Sequence, residues 1–166
     1  EGGRHSKALI VLATMGKSIQ EEFPRRNWHS NQQVAVTNIM FTNHWIKARI
    51  GRALDPYKIT MQQYNALRLL RAAHPEGLVA GVIRSGLLDR TSDVSRLVDR
   101  MVKLGYVERR AIQEDGRVKK IFLTLRGLEL LGQIRSVDKF TKEDLPKRLT
   151  DQEAQTLSAL LDKVRT

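Results

Sequence analysis

Residues 113–127, QEDGRVKKIFLTLRG, place Arg117 two positions after Asp115 on an Asp-Gly pair flanked by strand-forming runs. Asp-Gly between two such runs is a strong local signal for a hairpin. A guanidinium at a hairpin tip suits a narrow, strongly negative channel such as the minor groove of duplex DNA over A·T pairs. Asp115 is spaced to pair with Arg117 and hold its rotamer; the plainer reading makes it a turn former only. Lys119 and Lys120 alternate across the strand, so one of them, taken as Lys119, joins the same surface. Lys120 then reads as a solvated strand charge. Arg109 and Arg110 on the preceding strand are candidates for phosphate contacts, or for pairing with Glu108 or Glu114.

A second cluster lies just upstream. Thr91, Ser92, Asp93, Ser95 and Arg96 open an amphipathic helical pattern, with Arg100 one turn further on. An α-helix fits the DNA major groove, and its N-terminal residues reach base edges. Arg can bond guanine at two points, and Ser or Thr can serve bases or phosphates. The competing explanation is a polar helix face turned to water.

Other chemistries find little support. His5, His29, His44 and His74 lack the i, i+4 spacing and the cysteine neighbours of a zinc site, so no metal is expected. There is no Gly-x-Ser-x-Gly, phosphate-binding loop or His-Glu-x-x-His motif, so neither an enzyme nor a bound cofactor is expected. His44, Trp45 and Tyr64 are weak candidates for lining a ligand pocket between the long first helix and the rest of the chain. Core packing explains Trp45 and Tyr64 equally well.

The bulk properties agree with a polyanion partner. The 166 residues carry a net charge of +11. Residues 84–126 hold eleven basic against six acidic groups, whereas residues 127–166 hold seven of each. Such a balance favours nucleic acid or acidic membrane. A membrane surface is disfavoured because the 31–54 pattern is only mildly basic, through Lys47, Arg49 and Arg52. "ALIVLA" (8–13) is too short to span a bilayer, and the "TMGKSIQEEF" after it does not read as a signal-peptide cleavage site. The absence of cysteine fits a reducing compartment, and the expected location is the cytoplasm.

The elements that must position these residues are legible from periodicity. Residues 1–30 read as an arm with a helix around 6–22. Apolar residues at helical spacing from Val36 to Leu54 predict one long helix over 31–54, broken by Asp55-Pro56-Tyr57. Thr60 with Gln63 is a capping box for a helix turning Tyr64, Leu67, Leu69 and Leu70 inward. Residues 78–88 predict a short helix weakened by Gly81 and Gly86. Thr91 or Ser92 is the expected N-cap of a helix over 92–104, whose stripe is Val94, Leu97, Val98, Met101 and Leu104, with Gly105 as its C-cap. Strands over 106–112 and 118–124 come next, with the turn at "QEDGR". Thr124 caps a helix with Leu128, Leu131 and Ile134 inward, and Thr150 with Glu153 opens a last helix carrying Leu157, Leu160, Leu161 and Val164. Two helices joined by a turn and followed by a two-stranded sheet make a winged helix-turn-helix.

With that order established, residues 59–131 resemble the DNA-binding core of the MarR (multiple antibiotic resistance regulator) family. The matching stretches are "ITMQQYNALRLL", "SDVSRLVDRMVKLGYVERR", the wing "DGR" and "FLTLRGLELL"; "LTDQEAQTLSALLDKVR" resembles the family's closing helix. The resemblance implies a mainly α fold with a small β-hairpin wing, and a homodimer joined by its N- and C-terminal helices. Residues 1–30 are then an arm, 31–58 a dimerisation helix, 59–126 the DNA-binding domain and 127–166 C-terminal dimerisation helices. It further implies a regulator of transcription, more often a repressor, that binds palindromic double-stranded DNA and is released by a small aromatic or anionic effector. Ser95 and Arg96 fall where the family's recognition helix has its hydroxyl–arginine pair, and Asp115 and Arg117 fall on its wing motif. The amphipathic terminal helices support a dimer independently, since their stripes need a cover that a two-fold axis supplies. The rival reading of the same fold is a sequence-nonspecific architectural DNA-binding protein.

Overall fold

A computed structural model of the chain describes residues 16–89, 93–112 and 115–166, apart from the side chains of residues 112 and 115–118. Of the helix expected around 6–22, only α1 (Ile19–Glu22) is helical among the described residues: Ser18 caps it and residues 16–18 are not helical, while residues 1–15 lie outside the described residues. Helix α2 spans Asn31–Leu54 and ends, as its sequence requires, at the turn Asp55–Tyr57. Then come α3 (Met61–Ala72), β1 (Leu78–Val79), α4 (Ala80–Gly86) and α5 (Val94–Lys103). The sheet strands β2 (Val107–Ile112) and β3 (Asp115–Leu123) lead to α6 (Leu125–Gln133). Helix α7 (Arg135–Lys139) runs on into a π-helical turn, Phe140–Asp144, and α8 (Asp151–Val164) closes the chain.

Two compact units emerge, Glu1–Ala48 and Arg49–Thr166, with the division inside α2. In the first, a capping box starts α1: the Ser18 hydroxyl accepts from the Glu21 N–H, and the Glu21 carboxylate accepts from the Ser18 N–H. Phe23 and Phe41 meet edge to face with centroids 5.5 Å apart, and the Arg26 guanidinium lies over Trp28.

The second unit holds the larger core. Thr60 and Gln63 form the predicted capping box of α3. Tyr64, Leu67 and Leu70 turn inward as expected, joined by Ala66, while Leu69 is only half-buried. The segment 78–88 departs from expectation. Leu78 and Val79 are extended and pair antiparallel with Ile121 and Lys120, giving a three-stranded sheet in the order β1-β3-β2 where a two-stranded one was predicted. The outer side of β3 offers an unpaired row of backbone groups, and the short run after Gly77 satisfies it before α4 begins.

Helix α5 buries Val94, Leu97, Val98 and Met101, the predicted stripe. Leu104, expected to close that stripe, is instead 37% exposed. The helix stops because Gly105 adopts φ +74. The Gly105 N–H then donates to the Val102 carbonyl and the Tyr106 N–H to that of Met101, a Schellman closure. The hairpin also differs from expectation. Asp115 and Gly116 lie in β3 and not in the turn. Ala111 faces Lys119 while Ile112 faces Asp115, so the register jumps near the tip and residues 116–118 form an irregularity on β3.

Thr124 caps α6 as expected, its hydroxyl accepting from the Gly127 N–H and donating to the Gly105 carbonyl. Leu130 and Leu131 are buried and Leu128 is half-buried. Gly127 packs so closely that an added Cβ would stand 2.3 Å from the Tyr106 carbonyl oxygen. Helix α8 begins with its predicted capping box, Thr150 and Glu153. Hydrogen bonds from the Thr150 N–H and hydroxyl hold the Glu153 carboxyl below its usual range. No residue of α8 is buried: Leu157, Leu160 and Val164 are 45%, 57% and 63% exposed.

Two glycines of α6 should respond oppositely to alanine. Gly127→Ala forces the base of the hairpin away and should cost about 1–3 kcal/mol. Gly132→Ala enters open space on the same helix and should stabilise by about 0.5–1 kcal/mol. Urea unfolding of both variants checks the pair; equal effects would contradict the packing described.

Candidate nucleic-acid interface

The outward face of α5 begins at its cap. Asp93, and neither of the two residues expected, is the N-cap: its Oδ1 accepts from the Arg96 N–H at 3.1 Å. Thr91 and Ser92 lie outside the described residues. The helix starts at the buried Val94, so the residue before it holds the cap, and a carboxylate there accepts from an open N–H group at the positive end of the helix dipole. The other carboxylate oxygen of Asp93 lies 3.2 Å from Arg96 Nε. Asp93 thus serves the first turn of the helix and the Arg96 guanidinium together. The Arg96 side chain remains 81% exposed, and Ser95 and Arg100 are also exposed. The arrangement offers a hydroxyl and two guanidinium groups on the first two turns of a helix whose opposite face is in the core.

The wing is built on β2 and β3. Lys119 is exposed opposite Ala111. Lys120 is half-buried between Val79 and Arg110, so the two lysines do part as the strand alternation predicts. Arg110 pairs with Glu108 and lies 4.9 Å over the Phe122 ring, which commits it to the sheet surface. The side chains of Asp115 and Arg117, and with them their expected pairing, lie outside the described residues.

Arg109 does something the sequence did not suggest. Its Nη1 donates to Asp99 Oδ1 at 2.5 Å, and its Nη2 to the Ser95 carbonyl at 3.4 Å. Glu108 pairs with Arg110 instead, and Glu114 lies outside the described residues. Asp99 and Arg109 are ten positions apart across a helix end and a strand start, beyond any local spacing rule. A hint existed in Asp99 lying one turn after Ser95 on the same face.

The three ligand candidates differ in burial. Tyr64 is 3% exposed within the core, where burial raises its phenol above the usual range. His44 is exposed and Trp45 is 36% exposed. A cavity of about 270 Å³ in the second unit is lined by Arg49, Ile50, Arg52, Ala53, Ser136, Val137 and Phe140, and by none of those three. Arg49 reaches Asp144 at 2.7 Å and lies over the Phe140 ring. Among the described residues, no group of three His, Asp or Glu side chains is placed to hold a metal ion. No described helix is long and apolar enough to cross a membrane.

Comparison with known proteins places this geometry. A model of the MarR family matches residues 57–118. The HTH-type transcriptional regulator PecS of Dickeya dadantii is 26% identical over 144 residues, which cover 84% of this chain and 87% of PecS. A MarR transcription factor from Planctomyces limnophilus is 32% identical at a TM-score of 0.61, covering 82% of this chain and 98% of that one. A mutant of Escherichia coli MarR, solved in complex with operator DNA, is 27% identical at a TM-score of 0.67 and covers 83% of this chain and 99% of that one.

The capping role of Asp93 is open to direct measurement. Asp93→Ala should lower folding stability by about 1 kcal/mol, and Asp93→Ser should recover most of it, because the serine hydroxyl can still accept from the Arg96 N–H. Equal stability of the alanine variant and the parent in denaturant titration would contradict the assignment.

Proposed function

The chain belongs to the MarR family, a DNA-binding transcriptional regulator of that type and not an enzyme, and from that premise we propose that it represses transcription as a homodimer on a palindromic operator. Helix α5 enters the major groove, with Ser95, Arg96 and Arg100 toward the bases and phosphates. Thr91 and Ser92, next before Asp93 in the sequence, serve phosphates or bases, and Asp93 steers Arg96 more than it contacts DNA. The wing carries Arg117, oriented by Asp115, into the adjacent minor groove, with Lys119 on the flanking phosphates. The observation that carries the reading is the exposed Ser95–Arg96–Arg100 face, held outward by the buried Val94–Leu97–Val98–Met101 stripe.

The dimer is supported by α8, whose Leu157, Leu160 and Val164 are uncovered in a single chain. Val36 and Met40 on α2, 51% and 67% exposed, supply a second apolar surface. Two-fold pairing of such helices closes both. In this reading residues 31–58 and 127–166 form the dimer-forming parts, 59–126 the DNA-binding part and 1–30 an arm. Release by a small aromatic or anionic effector is supported by the cavity beside Arg49, Arg52, Ser136 and Phe140. The protein acts in the cytoplasm, with the DNA it controls.

Selection of bound duplexes from a random pool tests the reading. The expected product is a palindrome with half-sites about one helical turn apart. Recovery of no preferred sequence would instead favour an architectural protein that binds any duplex. On the selected operator, Arg96→Ala should cost about 1–3 kcal/mol at one base position. Arg117→Ala should weaken binding and relax the preference for flanking A·T pairs; unchanged preference would remove the wing from the minor groove.

A further inference from the structure

Helix α5 and strand β2 are joined covalently at one end only. Lys103 is the last helical residue and Val107 the first of the strand, with Gly105 and its Schellman closure between them. A junction of that kind leaves two motions open: the strand pivoting on the turn, and the helix rolling about its own axis. Arg109 opposes both. Its guanidinium bonds the Asp99 carboxylate with one nitrogen and the Ser95 carbonyl with the other. Ser95 and Asp99 are one turn apart on the same helix face. The planar fork of arginine holds both points at a fixed spacing, as an ammonium on a flexible stem would not. The contact is partly shielded, the Arg109 side chain being 34% exposed and that of Asp99 53%.

We infer that Arg109 is a positioning residue: through Asp99 and the Ser95 carbonyl it sets the angle between the reading helix and the wing, so that Arg96 and Arg117 enter neighbouring grooves together. The inference rests on the reading of α5 and the wing as the DNA-contacting surface. It assigns Arg109 a different role from a phosphate contact, and the two roles make opposite demands on Asp99. A phosphate-binding arginine is held back by a carboxylate at 2.5 Å, so removing the carboxylate frees it and strengthens binding. A positioning arginine needs that carboxylate.

The test uses the full chain with the operator recovered from the random pool and with unrelated duplex, over a salt series. Asp99→Asn and Arg109→Gln should each lower the operator-to-random affinity ratio by roughly tenfold, about 1.4 kcal/mol. The slope of log affinity against log salt should stay unchanged in both, because no phosphate contact is lost. The double variant should be no worse than either single one, since both changes break the same tether. Arg109→Lys, which keeps the charge and loses the fork, should lose the ratio as well, and it serves if Arg109→Gln fails to fold. Two results would overturn the inference: tighter or unaltered operator binding by Asp99→Asn, or a salt slope smaller by about 0.9 in Arg109→Gln. If the unsubstituted chain selects no sequence, the underlying DNA-reading surface is refuted; if it selects one and the variants keep the ratio, only the tether is.

Discussion

Helix α5 has to be held firmly while one whole side of it stays in water. Val94, Leu97, Val98 and Met101 meet that demand by going fully into the core, and each such burial contributes about 1.5–3 kcal/mol relative to exposure. The position of those four side chains sets which way Ser95, Arg96 and Arg100 point. Much of the second unit is placed to receive them. Helix α3 brings Leu67 and Leu70, α4 brings Ile83, and the sheet brings Val107 and Ile121 to the same cluster.

The charged side chains above that core act by direction more than by strength. Arg96 with Asp93 is a largely exposed pair, of a kind that adds little to stability. Its effect is to narrow the rotamers from which a guanidinium starts. Arg110 is committed to Glu108 and Phe122, and Arg109 to α5, so two of the cations near the wing bind the protein to itself. A large net positive charge in this chain is therefore not a count of groups on offer to a polyanion. Among the described residues of α5 and β3, Arg96, Arg100 and Lys119 are presented outward.

Periodicity made the helices legible because burial enforces it. The α5 stripe, the Thr60 and Thr150 capping boxes and the Gly105 stop can all be read within a few residues of chain. What escaped the sequence depends on neighbours distant along it. Leu78 and Val79 are extended because β3 has an open side, which nothing between residues 78 and 88 announces. Asp115-Gly116 has the composition of a turn, yet the register break places it inside β3. Asp93 is the cap because the helix starts at Val94, and since Thr, Ser and Asp all serve as N-caps, composition does not say which of three successive candidates stands at the start. Arg109 finds Asp99 only once the Schellman turn has folded the strand back along the helix.

One hydroxyl joins two ends of the structure. The Thr124 oxygen accepts from the first turn of α6 and gives its proton to the Gly105 carbonyl, at the stop of α5. Having a single proton, it has no second donation with which to compensate. A displacement of α6 is thus passed to the C-terminal end of α5 through one short side chain, and its β-branching leaves little rotamer freedom to absorb the slack.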